Sequence, residues 1–445
     1  MKNLRFDRAL WGEAFPGSAF MGLWNQSRKF VITRHRQLLL RGVLSLLIAA
    51  LPLVGCSSGL LVGEQGSAPA SDDADDSFGD PRATELEPGG VTRFSGELRD
   101  AEEVDVWDLG VVQAGTRLDV ELQGFGANFS IGLFDQDYLV RMISHNRYNS
   151  KDPRAILHVA QKVEGMLLVV ASDPFEASTG RYTVQVTQST DADVVQPGIQ
   201  TVILNFTGGS FVSIGSVTVP QVTPFDAADL HPDWSEYTTP MKDIVMDSMQ
   251  RVYDGLNVEL YFSDDPQAPR EGVTTVYFGA QDANNVGLAA TIDYGNRNKQ
   301  HNAIVYTRNF AKYISYGYTY RDLAQGFANV AAHELGHLLG LNHTDLPLDV
   351  MNVSPTVDAL VAPQYFSEEA RLSSATFPVG RQDGAELIFE TVGGEWSRVA
   401  LARDNNASLY AAASFTSRTQ TAQQLPVDDA DELSSARYCT SDQDN

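Results

Sequence analysis

His333-Glu334-Leu335-Gly336-His337-Leu338-Leu339-Gly340-Leu341-Asn342-His343 closes the longest helical candidate of the chain, Arg321–Leu341. Residues four apart lie one turn apart on the same helix face, so the imidazoles of His333 and His337 can reach one tetrahedral zinc ion. Glu334 follows the first of them and projects beside the metal, where a carboxylate can serve as general base. Gly340 stands three residues after His337, and a positive φ there would end the helix and turn the chain back. His343 then approaches from outside the helix as a third ligand. Three protein ligands leave the fourth position to water, which marks a catalytic rather than a structural site. A zinc ion held this way lowers the pKa of its bound water toward about 7 and polarises a scissile carbonyl. Glu334 would take the water's proton and deliver it to the departing amine. Incidental packing does not explain why three of the eight histidines fall in this register.

The helix belongs to a stretch of mixed α/β grammar over 200–375. Thr201–Phe206, Asn257–Phe262, Thr274–Phe278 and Ala303–Thr307 read as strands. Thr239–Tyr253 places Met241, Val245, Ser248 and Val252 on one helical face, with Ile244 alongside.

The zinc motif resembles that of the metzincin metallopeptidases over its whole length. The resemblance implies a methionine-bearing turn below the metal, and Met351 in Asp349-Val-Met-Asn352 is the residue in position for it. Thr344 after the third histidine is closest to the matrixin-like branch, whose usual residue there is serine. That branch often silences its zymogen with a propeptide cysteine on the zinc. Here no cysteine lies between Cys56 and Cys439, so the usual switch is absent. The resemblance implies a zinc-dependent endopeptidase with protein or peptide substrates, in which Glu334 activates a zinc-bound water, His333, His337 and His343 hold the metal, and Gly340 and Met351 shape the site. His231 and His301 are expected in loops, and Tyr313, Tyr316, Tyr318 and Tyr320 beside a substrate cleft or under the helix.

Composition excludes other classes. The 445 residues exceed one ordinary core, and 43% hydrophobic content is globular. The net charge is −25, yet residues 1–55 alone carry +6, so the rest of the chain carries −31. Such a surface repels phosphate backbones and argues against a nucleic-acid partner. Two cysteines make neither a disulfide framework nor a four-cysteine zinc site.

The basic residues Arg34, Arg36 and Arg41 precede a twelve-residue apolar run, Gly42–Leu53, too short to span a bilayer and suited to an export signal. Its end, Leu53-Val54-Gly55-Cys56, resembles the bacterial lipobox. That resemblance implies cleavage before Cys56, lipidation of its thiol and a place on the bacterial envelope, at the outer membrane since Ser57 follows; secretion is the alternative. Residues 56–90, rich in Ser, Gly, Ala, Asp and Pro, read as an acidic flexible tether.

Between 91 and 188, Leu118–Leu122, Phe129–Leu133 and Tyr182–Val186 alternate at period two. Met166–Val170 is a continuous apolar run suited to a strand buried on both faces. Phe94-Ser-Gly-Glu-Leu98, Asp105-Val-Trp-Asp-Leu109 and Gly180–Val186 resemble the bacterial pre-peptidase C-terminal β-sandwich, a module without catalytic residues. Calcium is a further candidate cofactor, at Asp105, Asp108 and Asp135 or at Asp282, Asp293 and Asn296.

Residues 189–199 read as a linker and 376–445 as a weakly structured end, with Ala385–Val392 and Ser397–Leu401 as a last pair of strands and a disordered tail. The expected molecule is multidomain: an all-β sandwich, then an α/β (α+β) metzincin-like catalytic domain with an active-site helix. The alternative function is a surface-binding lipoprotein whose metal-loaded site is latent or specific to one partner.

Overall fold

Period-two sequence becomes a β-sandwich in the N-terminal half of a computed structural model, which describes residues 78–84, 86–145, 152–190, 196–405 and the backbone of 438–440. The export signal, Cys56 and the tether as far as 77 lie outside the described residues, as do 406–437 and 441–445.

One sheet of the sandwich has the order β1 (Arg82–Ala83), β3 (Val104–Val112), β8 (Val163–Ser172), β5 (Phe129–Phe134), β6 (Val140–His145). The other has the order β2 (Val91–Leu98), β9 (Gly180–Thr190), β4 (Thr116–Gly124), β7 (Arg154–Val159). Their facing side chains, among them Trp107, Leu118, Phe129 and Tyr182, form one core. The apolar run in β8 is divided between two cores. Met166, Leu168 and Val170 point into the sandwich, whereas Leu167, Val169 and Ala171 pack with Leu372 and Phe377 of the C-terminal half. Period-two geometry explains why both sets must be apolar.

The C-terminal half is built on a mixed sheet ordered β13 (Val258–Phe262), β10 (Gln200–Asn205), β14 (Thr274–Gly279), β16 (Asn302–Tyr306), β15 (Gly287–Ala289), β19 (Tyr438–Thr440). All neighbours are parallel except β15 and β16. A hairpin of β11 (Gly209–Ile214) and β12 (Val217–Val222) precedes α1 (Thr238–Val252), which buries Met241, Val245, Ser248 and Met249. The zinc-motif helix is α2 (Tyr320–Leu338), started by a capping box between Thr319 and Asp322 and buried along most of its length. It is followed by α3 (Val357–Val361), the short pair β17 (Ala370–Arg371) and β18 (Arg381–Gln382), and α4 (Gly384–Val392). No helix among the described residues is long and apolar enough to cross a membrane.

Several expectations need correction. Ala385–Val392 is helical, not a strand: Asp383 caps it by accepting from the Glu386 N–H, and Ala385, Ile388 and Val392 are buried at steps of three and four. Residues 396–405 are likewise helical, with Val399 buried and the Arg403 guanidinium 3.0 Å from Asp383. The region after 376 therefore belongs to the core as far as 405. Within the tail read as disordered, Tyr438–Thr440 forms a strand.

The tether, too, is in part ordered. Phe78 packs 4.5 Å from the ring of Tyr138, Arg82 lies 4.7 Å above Trp107, and β1 pairs with β3. The sandwich is docked onto the other half, where Val106, Phe134 and Val169 share a core with Leu372 and Phe377. The Arg141 guanidinium bridges Asp135 at 2.7 Å and Glu390 at 2.6 Å, and the Arg381 N–H donates to the Tyr138 carbonyl at 3.0 Å.

Candidate metal centre

Helical period places His333 and His337 on one face of α2, and the helix stop then delivers His343. Gly340 adopts φ +95 and donates its N–H to the His337 carbonyl at 2.9 Å, while the Leu341 N–H donates to the Gly336 carbonyl at 2.9 Å. These two bonds form a Schellman motif, and a side chain at 340 would also press on the backbone of Asp293 and Tyr294. The segment carrying His343 is then held from three sides. The Asn342 N–H donates to Gln382 Oε1 at 2.8 Å, Gln382 Nε2 donates back to the Asn342 carbonyl at 2.9 Å, and the Ser373 N–H donates to the His343 carbonyl at 3.0 Å.

Three ring nitrogens meet as a result. His337 Nε2 lies 3.1 Å from both His333 Nε2 and His343 Nε2. His333 Nδ1 faces the Val350 carbonyl at 2.7 Å and His337 Nδ1 faces the Leu341 carbonyl at 2.8 Å. A carbonyl only accepts, so these rings carry their protons on Nδ1 and turn lone pairs toward each other. Burial first, and then the neighbouring imidazoles, hold His333 far below the usual histidine range, and burial lowers His337 to about 4. Both are therefore neutral near pH 7. Converging lone pairs repel one another unless a cation lies between them. A tetrahedral ion with bonds of about 2.0–2.1 Å spaces its ligand nitrogens by roughly 3.3 Å, close to what is seen. The residues present thus fit zinc, and these three form the one such cluster among the described residues.

Glu334 is wholly buried, and neither carboxylate oxygen has a hydrogen-bond partner in the protein. Burial pushes its carboxyl well above the usual range. β15 covers it: a Cβ on Gly287 would fall 2.3 Å from Glu334 Oε1, so only glycine lets this strand approach so closely.

Met351 is fully buried against the helix between the two histidines, where a Cβ on Gly336 would come within 2.5 Å of its sulfur. A mid-helix glycine costs about 1 kcal/mol relative to alanine, and this close approach accounts for its use. The buried carboxylate of Asp349 ties the turn together. It accepts from the Thr344 hydroxyl at 2.8 Å, the Met351 N–H at 2.9 Å and the Ser367 N–H at 2.7 Å. Sequence reasoning gave no role to Asp349, Gln382, Gly336 or Gly287. Only Gly287, a glycine between the apolar Val286 and Leu288, carried a local signal.

The remaining candidates lie elsewhere. Asp105 accepts from the Tyr182 hydroxyl; Asp108 accepts from the Gly110 N–H, and Asp135 from those of Asp137 and Leu139. Asp282 accepts from the N–H groups of Asn284 and Asn285, and Asp293 from that of Asn298, with His301 Nε2 3.5 Å away. Asn296 is buried in a left-handed turn, and His231 is partly exposed. Tyr313 is buried, Tyr316 exposed, Tyr318 bonded to Asp358 and Tyr320 stacked on Tyr237.

The Matrixin family matches residues 263–362, a span that holds β14, β15, β16, α2, all three histidines and Met351. No curated protein sequence matches this one. Among solved structures, a zinc-dependent peptidase from Methanocorpusculum labreanum is 13% identical, covers 42% of this chain and 99% of its own, and has a TM-score of 0.22. The pre-peptidase C-terminal domain of a collagenase from Bacillus anthracis is 15% identical, with 24% and 95% covered and a TM-score of 0.19. A periplasmic inhibitor of g-type lysozyme from Aeromonas hydrophila is 12% identical, with 24% and 96% covered and a TM-score of 0.20. The Matrixin match and the three-histidine cluster fit a metzincin and support a zinc metallopeptidase.

Proposed function

We propose that the protein is a zinc endopeptidase of the bacterial envelope, with His333, His337 and His343 as metal ligands and Glu334 as general base. The carrying observation is the pairing of three converging Nε2 atoms with a buried, unpartnered carboxylate one residue from the first ligand. Zinc, when bound, polarises the scissile carbonyl and acidifies water. The chain's own residues do the rest. The Val350 and Leu341 carbonyls keep two rings in the tautomer that donates Nε2, and the Gly340 turn holds the third ring in place. Glu334 Oε accepts a proton from the attacking water and returns it to the nitrogen of the departing amine. We assign no calcium site, because the carboxylates considered for it already accept hydrogen bonds from the protein.

The test is hydrolysis of quenched casein by a soluble protein starting at residue 57. Activity should vanish on chelation, return with stoichiometric zinc and be lost in Glu334→Ala. A folded, zinc-loaded wild type without activity on casein or envelope proteins would instead favour the binding-lipoprotein alternative.

Anchoring is the second part of the proposal. With lipidation at Cys56, the full chain should enter the detergent phase and Cys56→Ala the aqueous phase, since single acyl chains bind marginally and multiple chains bind stably. Membrane partitioning of the alanine variant would refute it.

A further inference from the structure

The sheet edge beside the metal centre is already paired. β15 meets β16 on one side and β19 on the other, the latter in parallel register: Gly287 opposite Tyr438, Leu288 opposite Cys439, Ala289 opposite Thr440. β15 is also the strand that lies on Glu334 and Val330 of the zinc helix. An extended polypeptide placed along this side finds one row of backbone N–H and C=O groups to pair with, the outer edge of β15. Those groups cannot pair twice, whichever direction the second strand runs.

We propose that Tyr438–Thr440 is a built-in occupant of this edge that competes with peptide substrates; the inference rests on the peptidase reading above. The sequence supports it, since Tyr and Thr favour strands and stand here in a tail otherwise dominated by Ser, Asp and Gln. The covalent connection reaches: residues 406–437 span about 100 Å when extended, more than the width of a compact body of this size. Tethering makes the pairing intramolecular, at an effective concentration of order millimolar. A substrate with a KM between about 1 μM and 1 mM must therefore displace a segment held at comparable or higher concentration. Such an arrangement restrains the site without a cysteine upstream of the catalytic half, and the sequence has none between Cys56 and Cys439.

The test compares the soluble protein, residues 57–445, with its Tyr438→Pro/Thr440→Pro form, because proline cannot donate to a ladder. Amide exchange in a peptide covering 285–290 should be about tenfold faster in the variant, with a peptide covering 302–306 unchanged. On a quenched peptide substrate, KM should fall about three- to tenfold at constant kcat, and a synthetic peptide of residues 434–445 should restore inhibition competitively. Equal exchange at 285–290 overturns the docked strand. Faster exchange with unchanged KM overturns the competition. Faster exchange with no hydrolysis by either protein overturns the blocking role together with the peptidase reading, while the docked strand stands.

Discussion

Glu334→Gln is expected to cost about 10²–10⁴-fold in kcat while raising the melting temperature of the metal-free protein. The rate loss is that of a removed general base, since an amide of the same shape cannot take the water's proton. The gain in stability follows from the site itself. Both oxygens of Glu334 are buried without partners, and burial raises its carboxyl above the ordinary value of 4.5. The unfolded chain ionises this group near the ordinary value, whereas the folded chain retains the proton to higher pH. Unfolding therefore releases a proton above that value, and stability falls as pH rises toward the folded pKa. Glutamine removes this slope. Glutamine leaves the same buried atoms unpartnered, a cost of about 1–3 kcal/mol shared with the protonated acid, so the gain is the further cost of the buried charge; each 1 kcal/mol moves the melting temperature by about 2–4 °C in a domain of 150–250 residues. The difference between variant and wild type, measured in chelator, should be small at pH 4 and reach several degrees at pH 8. A glutamine variant that melts lower at pH 8, or keeps its rate within tenfold, would sink this account.

Asp349→Ala is expected to lower stability by about 3 kcal/mol or more and to weaken zinc binding, although Asp349 touches no metal ligand directly. Its carboxylate receives three donors, from Thr344, Met351 and Ser367, in a fully buried setting. Each donor left unsatisfied costs about 1–3 kcal/mol. The bond to Thr344 joins the residue after the third histidine to the turn that bears Met351 and presents the Val350 carbonyl to His333. Loosening it disturbs two ligands at once. Asparagine should be intermediate, because its amide oxygen can accept from one side while its NH₂ opposes the donor on the other. Denaturant unfolding and competition with a zinc-binding dye measure the two effects. If the alanine variant loses less than 1 kcal/mol and binds zinc as tightly as wild type, Asp349 does not brace the site.

Much of this molecule was legible in local pattern. α1 and α2 lie where the three-and-four spacing puts them. The strands of the sandwich follow alternation, and Gly340 turns the chain where a positive φ was expected. The helix at Gly384–Val392 is legible as well. Ala385, Ile388 and Val392 have helical spacing, and Asp383 stands three residues before Glu386 as a cap and its partner. Their steps of three and four suit a helix and not the strand expected there. The order in residues 78–84 had a different cause. Phe78 and Arg82 carry no pattern of their own and are held by Phe134, Tyr138 and Trp107, far along the chain.

The sequence by itself determined the three candidate metal donors, the helix that spaces two of them and the glycine that releases the third, because a helical turn and a cap are set by residues within a few positions of each other. Only the tertiary structure decided how those donors behave. The ring tautomers depend on carbonyls at Val350 and Leu341, the state of Glu334 on the closeness of Gly287, the packing under the metal on Gly336 and Met351, and the availability of the sheet edge on a strand about 150 residues away. Each of these is a contact between segments that no local periodicity links. The physical cause is burial, which turns a carboxylate or an imidazole into a poised group only once distant parts of the chain have closed around it.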